Sequence, residues 1–158
     1  MRLNDLQDVL AHEIEDLYSA EKQLVEALPK MAKAVSSDRL RKAIEEHLEV
    51  TKEQIKRLEE VGKTLGTAVT GHACEGMKGL IKEGQGLIEE NETGEALDVA
   101  LIGAAQRIEH YEIAGYGTAR TYAEMLGHAE AAQLLQQTLD EEKETDELLS
   151  GLAVSSVN

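Results

Sequence analysis

Apolar residues recur every three or four positions along most of the chain, which is the spacing of one face of an α-helix. Turn signals divide this pattern into four long segments. The first opens at Asn4, where Asn4 and Gln7 have capping-box spacing, and the second opens at two serines followed by Asp38, all N-cap residue types. We therefore predict long helices at about residues 4–34, 36–66, 95–126 and 129–150.

The lengths of the connections predict how these helices are arranged. Helices one and two are joined by a few residues, as are three and four, so each pair is expected to form an antiparallel hairpin. Between the hairpins, residues 66–94 contain seven glycines and a broken apolar pattern, which predicts one or two short helices within a long crossover. This order of connections is typical of a ferritin-like four-helix bundle. We predict an all-α protein with a single ferritin-like domain at residues 1–153 and a loose tail at residues 154–158.

Composition supports a helical fold and limits the sites that the chain can form. The sequence has no Phe or Trp and one Pro, so its core is built from Leu, Ile, Val, Ala and Met, a set that favours helices over strands. Cys74 is the single cysteine, which excludes an internal disulfide and a CxxC-type zinc or iron centre. The amino terminus lacks the apolar segment of a signal peptide and no run of 18 apolar residues is present, so we expect a cytoplasmic location.

The net charge excludes several classes of partner. The chain has 31 acidic residues against 16 Lys and Arg, which gives a formal net charge of −15. Proteins that bind nucleic acids or anionic membrane surfaces present clustered Lys and Arg, which this sequence lacks. We therefore expect no nucleic-acid partner and no membrane association.

Some acidic residues lie on the apolar faces of the predicted helices instead of the solvated faces. Glu21 lies between two leucines of the first helical stripe, and Glu142 lies between two threonines on the inner face of the fourth helix. Glu109 and Glu112 share the inner face of the third helix with Tyr116, whose hydroxyl is expected near this polar level. The second helix has three inward polar residues and no inward glutamate: His47, Thr51 and Gln54.

Distances along the helices predict that these residues meet. Glu21 is as far from the first turn as Glu112 and Glu142 are from the second, at roughly 22 Å for a rise of 1.5 Å per residue. Glu109 lies one helical turn beyond this level. We predict that the inward glutamates converge on one layer of the bundle, with a polar side chain of the second helix nearby, either His47 or Gln54.

Four ionised carboxylates in one buried layer would be strongly destabilising without compensation. The sequence places no Lys or Arg on the inner faces at this level, so protons or cations must balance the charge. Two divalent cations would balance four carboxylates, and oxygen ligands with one or two imidazoles suit iron(II) or manganese(II). We predict an iron or manganese site, dinuclear where the charge is fully balanced, whose ligands are Glu21, His47, Glu109, Glu112 and Glu142.

Other polar residues have simpler interpretations. For His47 the sequence leaves open a hydrogen-bonded core histidine as well as a ligand. The remaining predicted roles are a rim position for Glu13, an incidental thiol for Cys74, and surface positions without a partner at ligand spacing in the sequence for His12, His72, His110 and His128.

Four runs of the sequence resemble the bacterial YciE/YciF family of ferritin-like proteins. They are DLYSAEKQL at 16–24, EHLEVTK at 46–52, QRIEHYEI at 106–113 and EEKETD at 141–146, and the similarity covers nearly the whole chain. The resemblance implies a ferritin-like bundle related to rubrerythrin, commonly a homodimer and linked to stress responses. It implies no established reaction.

The ligand pattern of rubrerythrin is kept only in part. Glu21 resembles the first-helix ligand, and residues 109–112 resemble the Glu-x-x-Glu of the third helix. The Glu-x-x-His motifs of the second and fourth helices are incomplete, because His47 lacks an inward Glu and Thr145 stands where His is expected after Glu142. The single cysteine also means that no rubredoxin-like module supplies electrons.

Two functions are consistent with these features. The preferred hypothesis is a metal-binding ferritin-like protein related to stress responses, whose reduced iron or manganese pair would react with peroxide or dioxygen. The alternative is a non-catalytic helical structural or interaction protein with a degenerate metal site. The sequence leaves open whether the protein is an enzyme.

Overall fold

The computed structural model describes residues 1–157, with side chains through residue 155. Within this range the secondary structure consists of α-helices, and no strand is present. The predicted all-α bundle, with its long crossover, is confirmed. The helices are α1 (Leu6–Ala34), α2 (Asp38–Leu65), α3 (Glu75–Glu90), α4 (Glu95–Met125) and α5 (Ala129–Val157).

Helix α1 has a different cap from the one predicted. The Asp5 side chain accepts a hydrogen bond from the Asp8 N–H at 2.9 Å. The predicted capping box of Asn4 with Gln7 is not formed, and Asn4 instead donates to the Asp8 carboxylate at 3.0 and 3.1 Å. Asp5 is the stronger cap because its carboxylate also interacts favourably with the positive end of the helix dipole.

The turn between α1 and α2 is held by a buried carboxylate. Ser37 caps α2, with its Oγ accepting from the Leu40 N–H at 3.2 Å, as its residue type predicts. Asp98 of α4 is buried and accepts hydrogen bonds of 2.7–2.9 Å from the N–H and O–H of Ser36 and the N–H of Ser37. This buried carboxylate is fully partnered by the turn, which fixes α4 against the first hairpin.

The crossover contains one helix, α3, which lies within the predicted range of one or two. Cys74 caps it, because its Sγ accepts from the Met77 N–H at 3.3 Å. The Cys74 side chain is completely buried. The prediction of an incidental thiol is therefore wrong, since Cys74 begins α3 and packs in the core.

Helix α5 continues past its predicted end at residue 150. It runs through Val157, so residues 154–157 of the predicted loose tail are helical, and Asn158 lies outside the described residues. Leu149 and Leu152 are buried, which gives the last turns an apolar face to pack against the bundle. None of the helices in the described range is both long enough and apolar enough to cross a bilayer.

The four long helices pack in a ring, with α3 outside it. Helix α1 packs against α2 and α4, α5 packs against α4 and α2, and α3 lies across α1 and α4. The Leu17 side chain of α1 packs against the α4 backbone at Gly115, where an added Cβ would lie 2.8 Å from Leu17 Cδ2. This close approach brings α1 against α4 within one turn of Glu21 and Glu112.

The interior of the bundle contains two apolar clusters on either side of a polar layer. The first-turn cluster, near the α1–α2 turn, contains Leu24 and Leu28 among other residues. The second-turn cluster, near the α4–α5 turn, contains Leu17 and Leu58. Glu21 lies between them on α1, so the polar layer interrupts an otherwise apolar core.

Candidate metal centre

The polar layer contains the five residues predicted as ligands. Helix α1 supplies Glu21, α2 supplies His47, α4 supplies Glu109 and Glu112, and α5 supplies Glu142. The four glutamates are 0–1% exposed and His47 is 9% exposed. The structure therefore brings all five side chains into the solvent-excluded interior.

The five side chains form two groups that share one carboxylate. One group consists of His47, Glu109 and Glu142, and the other of Glu21, Glu112 and Glu142. Within each group, one nitrogen or oxygen from every residue lies within 4.8 Å of the others. Because Glu142 belongs to both, the two groups are adjacent.

Most of the carboxylate oxygens in this layer have no hydrogen-bond partner. Both oxygens of Glu21, Glu112 and Glu142 and the Oε2 of Glu109 are buried without one in the described part of the chain. The other Glu109 oxygen lies 2.9 Å from His47 Nε2. A buried acceptor without a partner is costly, so these oxygens are suited to a ligand or to shared protons.

Burial and mutual repulsion raise the pKa values of these carboxyl groups. Burial, together with the charge of Glu142, raises the pKa of Glu21 to about 8, although its contact with Glu112 acts in the opposite direction. Burial raises the pKa of Glu109 to about 7, and the pKa values of Glu112 and Glu142 lie well above the usual 4.5 for the same reason. Without cations, the layer therefore retains protons near neutral pH.

One arginine reaches the edge of this layer, contrary to the prediction that none is available. The Arg57 side chain is 14% exposed, and its Nη1 lies 2.7 Å from both Glu141 Oε1 and Thr138 Oγ1. Its charge is thus paired with Glu141 and does not neutralise the four inner carboxylates. The sequence does not reveal this contact because Arg57 reaches the interior through its long side chain.

The second helix supplies a neutral oxygen as well as an imidazole. Gln54 is fully buried, and its Nε2 donates to Glu141 Oε1 at 3.2 Å. The Gln54 Oε1 is buried without a hydrogen-bond partner in the described range. By contrast, Thr51 and Thr145 donate to the carbonyl oxygens of their own helices at 2.8 and 3.0 Å. Thr145 therefore does not replace the missing histidine of the fourth helix, whereas Gln54 supplies a free carbonyl oxygen.

The four histidines that were predicted to lie on the surface all contact other side chains. His72 Nε2 lies 3.1 Å from Asp16 Oδ1, and its ring packs against that of His12 with centroids 4.6 Å apart. His110 lies 3.3 Å from Asp146 and His128 lies 3.1 Å from Gln7. The predicted surface position is confirmed for His110, which is exposed, whereas His12, His72 and His128 are partly buried by contacts with residues far away in the sequence.

Tyr111 connects α4 to α1 and to the start of α3. Its O–H donates to Asp16 Oδ2 at 2.6 Å, and the same hydroxyl lies 3.0 Å from Cys74 Sγ. Its ring lies against Gly76, where an added Cβ would come 2.7 Å from Tyr111 Cε2. Tyr111 precedes Glu112, so this contact also fixes the helix turn that carries two of the glutamates.

Replacing Gly76 with alanine is expected to lower the free energy of unfolding by about 1–3 kcal/mol, because the new methyl group would collide with the Tyr111 ring. Gly79 on the same helix has open space at the Cβ position and is the matched control. The Gly79→Ala variant is expected to gain about 0.5–1 kcal/mol from higher helix propensity. Urea unfolding of both variants measures the difference, and equal changes would contradict the tight contact.

Known proteins share both this arrangement of helices and much of its sequence. The family model for the domain of unknown function DUF892 matches residues 5–158. The chain belongs to the DUF892 family. A curated relative of this DUF892 protein is Protein YciF of Escherichia coli strain K12, which is 47% identical over 159 residues, spanning 100% of this chain and 96% of YciF.

Solved structures show that the fold is shared with other proteins. The crystal structure of the E. coli stress protein YciF matches with a TM-score of 0.96 at 47% identity, covering 99% of both chains. YcfI of Rhodopseudomonas palustris, described as a candidate structural protein, matches with a TM-score of 0.90 at 40% identity over 93% of this chain and 94% of that one. A Xanthomonas campestris protein at 23% identity, with a TM-score of 0.76 and 97% coverage of both chains, shows the fold alone. The family resemblance is confirmed, and this DUF892 protein is a homologue of a stress protein.

Proposed function

We propose that this DUF892 protein binds a pair of divalent transition-metal ions, iron(II) or manganese(II), in the polar layer. One observation carries the proposal: when the four buried glutamates are ionised, seven of their eight oxygens lack a hydrogen-bond donor in the described range. Leaving a buried acceptor unpaired costs about 1–3 kcal/mol, and more for a charged group. A layer of this kind requires protons or cations, and two divalent cations match four carboxylates in charge.

The donor atoms fit these metals. His47, Glu109 and Glu142 would hold one ion, and Glu21 and Glu112 would hold the other with Glu142 in common. Carboxylate oxygens with one imidazole suit iron(II) and manganese(II) better than metals that prefer thiolates. The unpartnered Oε1 of Gln54 is a further neutral oxygen in the bundle interior. The site therefore combines acidic oxygens, one nitrogen and a free amide oxygen.

When bound, a reduced iron or manganese pair would supply electrons for reaction with dioxygen or peroxide. The chain itself excludes water, since both apolar clusters and the glutamates between them are buried. Burial and the adjacent Glu21 and Glu112 raise the pKa of the Tyr116 phenol well above its usual value. Tyr116 therefore keeps its proton beside the layer and can donate a hydrogen bond there.

Metal content of the purified protein tests this proposal. Protein expressed with added iron or manganese is expected to carry about two ions per chain, since the layer offers two donor groups. A Glu112→Ala, Glu142→Ala double variant is expected to lose them, and a variant at the exposed Glu144, Glu144→Ala, is the matched control. Elemental analysis measures all three proteins. Equal, near-zero metal in the wild type and the double variant would contradict metal binding.

A structural role is the second candidate, and the raised pKa values of the inner carboxyl groups favour it. Protonated Glu112 and Glu142 could share hydrogen bonds within the layer, so that the bundle would be stable without metal. The structurally similar protein YcfI is itself described as a candidate structural protein. Adding manganese(II) to metal-free protein separates the candidates, because a rise in melting temperature supports the metal site and no change supports the structural role.

We also propose that the protein forms a homodimer in the cytoplasm, as the family resemblance implies. Its net charge of −15 makes nucleic acids and anionic membranes unfavourable partners. Sedimentation equilibrium of the full chain measures the assembly, and a monomer at all concentrations would contradict the homodimer.

A further inference from the structure

Two neighbouring apolar cavities lie on the first-turn side of the polar layer. The outer cavity has a volume of about 170 Å³ and lies between α1 and α3, and the inner cavity, of about 30 Å³, lies between the four long helices. The inner cavity is bounded at one end by His47 and Glu109. Both cavities are lined by the same four side chains, which form a thin apolar partition between them: Leu24, Leu28, Met31 and Ile108.

The walls of the inner cavity favour an apolar occupant over water. Apart from His47, Glu109 and Thr145, its lining residues are Ala, Ile, Leu and Met. The Thr145 hydroxyl already donates to its own helix, and Glu109 Oε1 lies 2.9 Å from His47 Nε2. The polar atoms without a partner, Glu109 Oε2 and His47 Nδ1, belong to the two residues that bound one end of the cavity. An ordered water needs two to four polar partners, whereas cavities with apolar walls stay dry and accept apolar atoms.

The outer cavity has the properties of an entrance. Its inner wall is apolar, with Leu80 and Ile81 contributed by α3 and Ala27 by α1. Polar side chains, including Gln23, Glu26 and Lys30, also line it, and Glu26 and Lys30 are exposed. The partition consists of aliphatic side chains and one methionine, whose unbranched side chain can adopt other rotamers next to the two cavities. A small apolar molecule can therefore pass from the surface groove to the interior.

We propose that these cavities form a binding site and access route for a small apolar gas of the dioxygen class, ending at His47 and Glu109. The size of the inner cavity, its apolar walls and its contact with the polar layer carry this inference. Hydrogen peroxide would have to give up its hydrogen bonds to water along an apolar path, which is costly. The delivery of gas to a metal rests on the proposed function, but the gas site itself is a property of the metal-free chain.

Xenon and dioxygen are the probes, applied under pressure to metal-free protein with methyl-labelled Leu, Ile and Met. Xenon binds dry apolar cavities of about 150 Å³, which is close to the volume of the outer cavity. Paramagnetic dioxygen is smaller and relaxes the nuclei that it approaches. We expect shifts and relaxation at Met31 and Ile108 that are several-fold larger than at Met125, which is 68% exposed. The His47 ring is expected to respond as well. A response at Met31 no larger than that at Met125 would overturn the proposal.

Two variants test the path independently. Ala27→Phe fills the outer cavity and Ala105→Leu fills the inner one, and Ala114, exposed on α4 and lining neither cavity, provides the control variants Ala114→Phe and Ala114→Leu. Ala105→Leu is expected to abolish the His47 response at equilibrium, and Ala27→Phe is expected to slow the exchange of xenon with the inner cavity severalfold. An unchanged His47 response in folded Ala105→Leu would overturn the binding site, and an unchanged exchange rate in folded Ala27→Phe would overturn the route. Because no metal is present, a failure of metal binding leaves these results unaffected, so the two proposals fail separately.

Discussion

The Glu142→Gln variant is expected to lose both metal ions and, in the metal-free state at pH 9, to be more stable than the wild type by about 1–3 kcal/mol. Both effects follow from the position of Glu142, which is shared by the two donor groups. Removing its charge removes a ligand from each group. Burial and the charge of Glu109 raise the folded-state pKa of Glu142 well above 4.5, whereas the unfolded chain has released this proton at pH 9. The carboxyl group at residue 142 therefore destabilises the metal-free folded chain at pH 9, and glutamine removes that cost.

A comparison with Glu21→Gln sharpens this prediction. Glu21 belongs to one donor group, so its variant leaves His47, Glu109 and Glu142 intact and is expected to retain about one ion per chain. Glu144→Gln, on the exposed face of α5, is expected to change neither metal content nor stability. Elemental analysis and urea unfolding measure both properties. Equal metal loss in the Glu21 and Glu142 variants would contradict a shared ligand, and a less stable metal-free Glu142 variant at pH 9 would contradict the repulsion.

The height of the polar layer could be predicted from the sequence because helices are regular. A constant rise per residue relates distances along the chain to positions along the bundle, so Glu112 and Glu142, equally far from the α4–α5 turn, are expected at one level. The apolar stripe around Glu21 fixed its inward direction in the same way. Periodicity and connection length were sufficient for the fold as well, since each depends on residues that are neighbours in the sequence.

The contacts that position the layer could not be predicted from the sequence. Arg57 of α2 contacts Glu141 of α5. Tyr111 contacts Asp16 and Cys74, which are both far away from it in the sequence. Such contacts depend on rotamers and on which helices are neighbours, and helical periodicity specifies neither. For the same reason the sequence left His47 and Gln54 as alternatives for the second helix. The structure places both in the interior, where His47 faces Glu109 and Gln54 retains a free carbonyl oxygen.

Metal-free protein is expected to lose stability as the pH rises from 5 to 9, and bound metal is expected to remove this loss. The folded-state pKa values of about 8 for Glu21 and about 7 for Glu109 exceed the ordinary 4.5. Between 4.5 and these values the folded chain holds protons that the unfolded chain has released, so the free energy of unfolding falls with pH. The raised pKa values of Glu112 and Glu142 act in the same direction. Surface repulsion from the net charge of −15 also grows as carboxyl groups ionise, but it is screened by salt, whereas the buried layer is not.

Urea midpoints at pH 5 to 9 in 0.5 M salt, with a chelator present, measure the loss of stability in the metal-free protein. Glu142→Gln is expected to flatten this profile, because the folded chain then has one fewer raised pKa and no charge at residue 142 to repel Glu109 and Glu112. With saturating manganese(II) the wild-type profile is expected to rise with pH instead, since the ions displace the protons and bind the ionised carboxylates more tightly. Metal-free protein as stable at pH 8 as at pH 5 would contradict the raised pKa values, and the carboxylates would then have to be ionised and compensated by groups that the described residues do not supply.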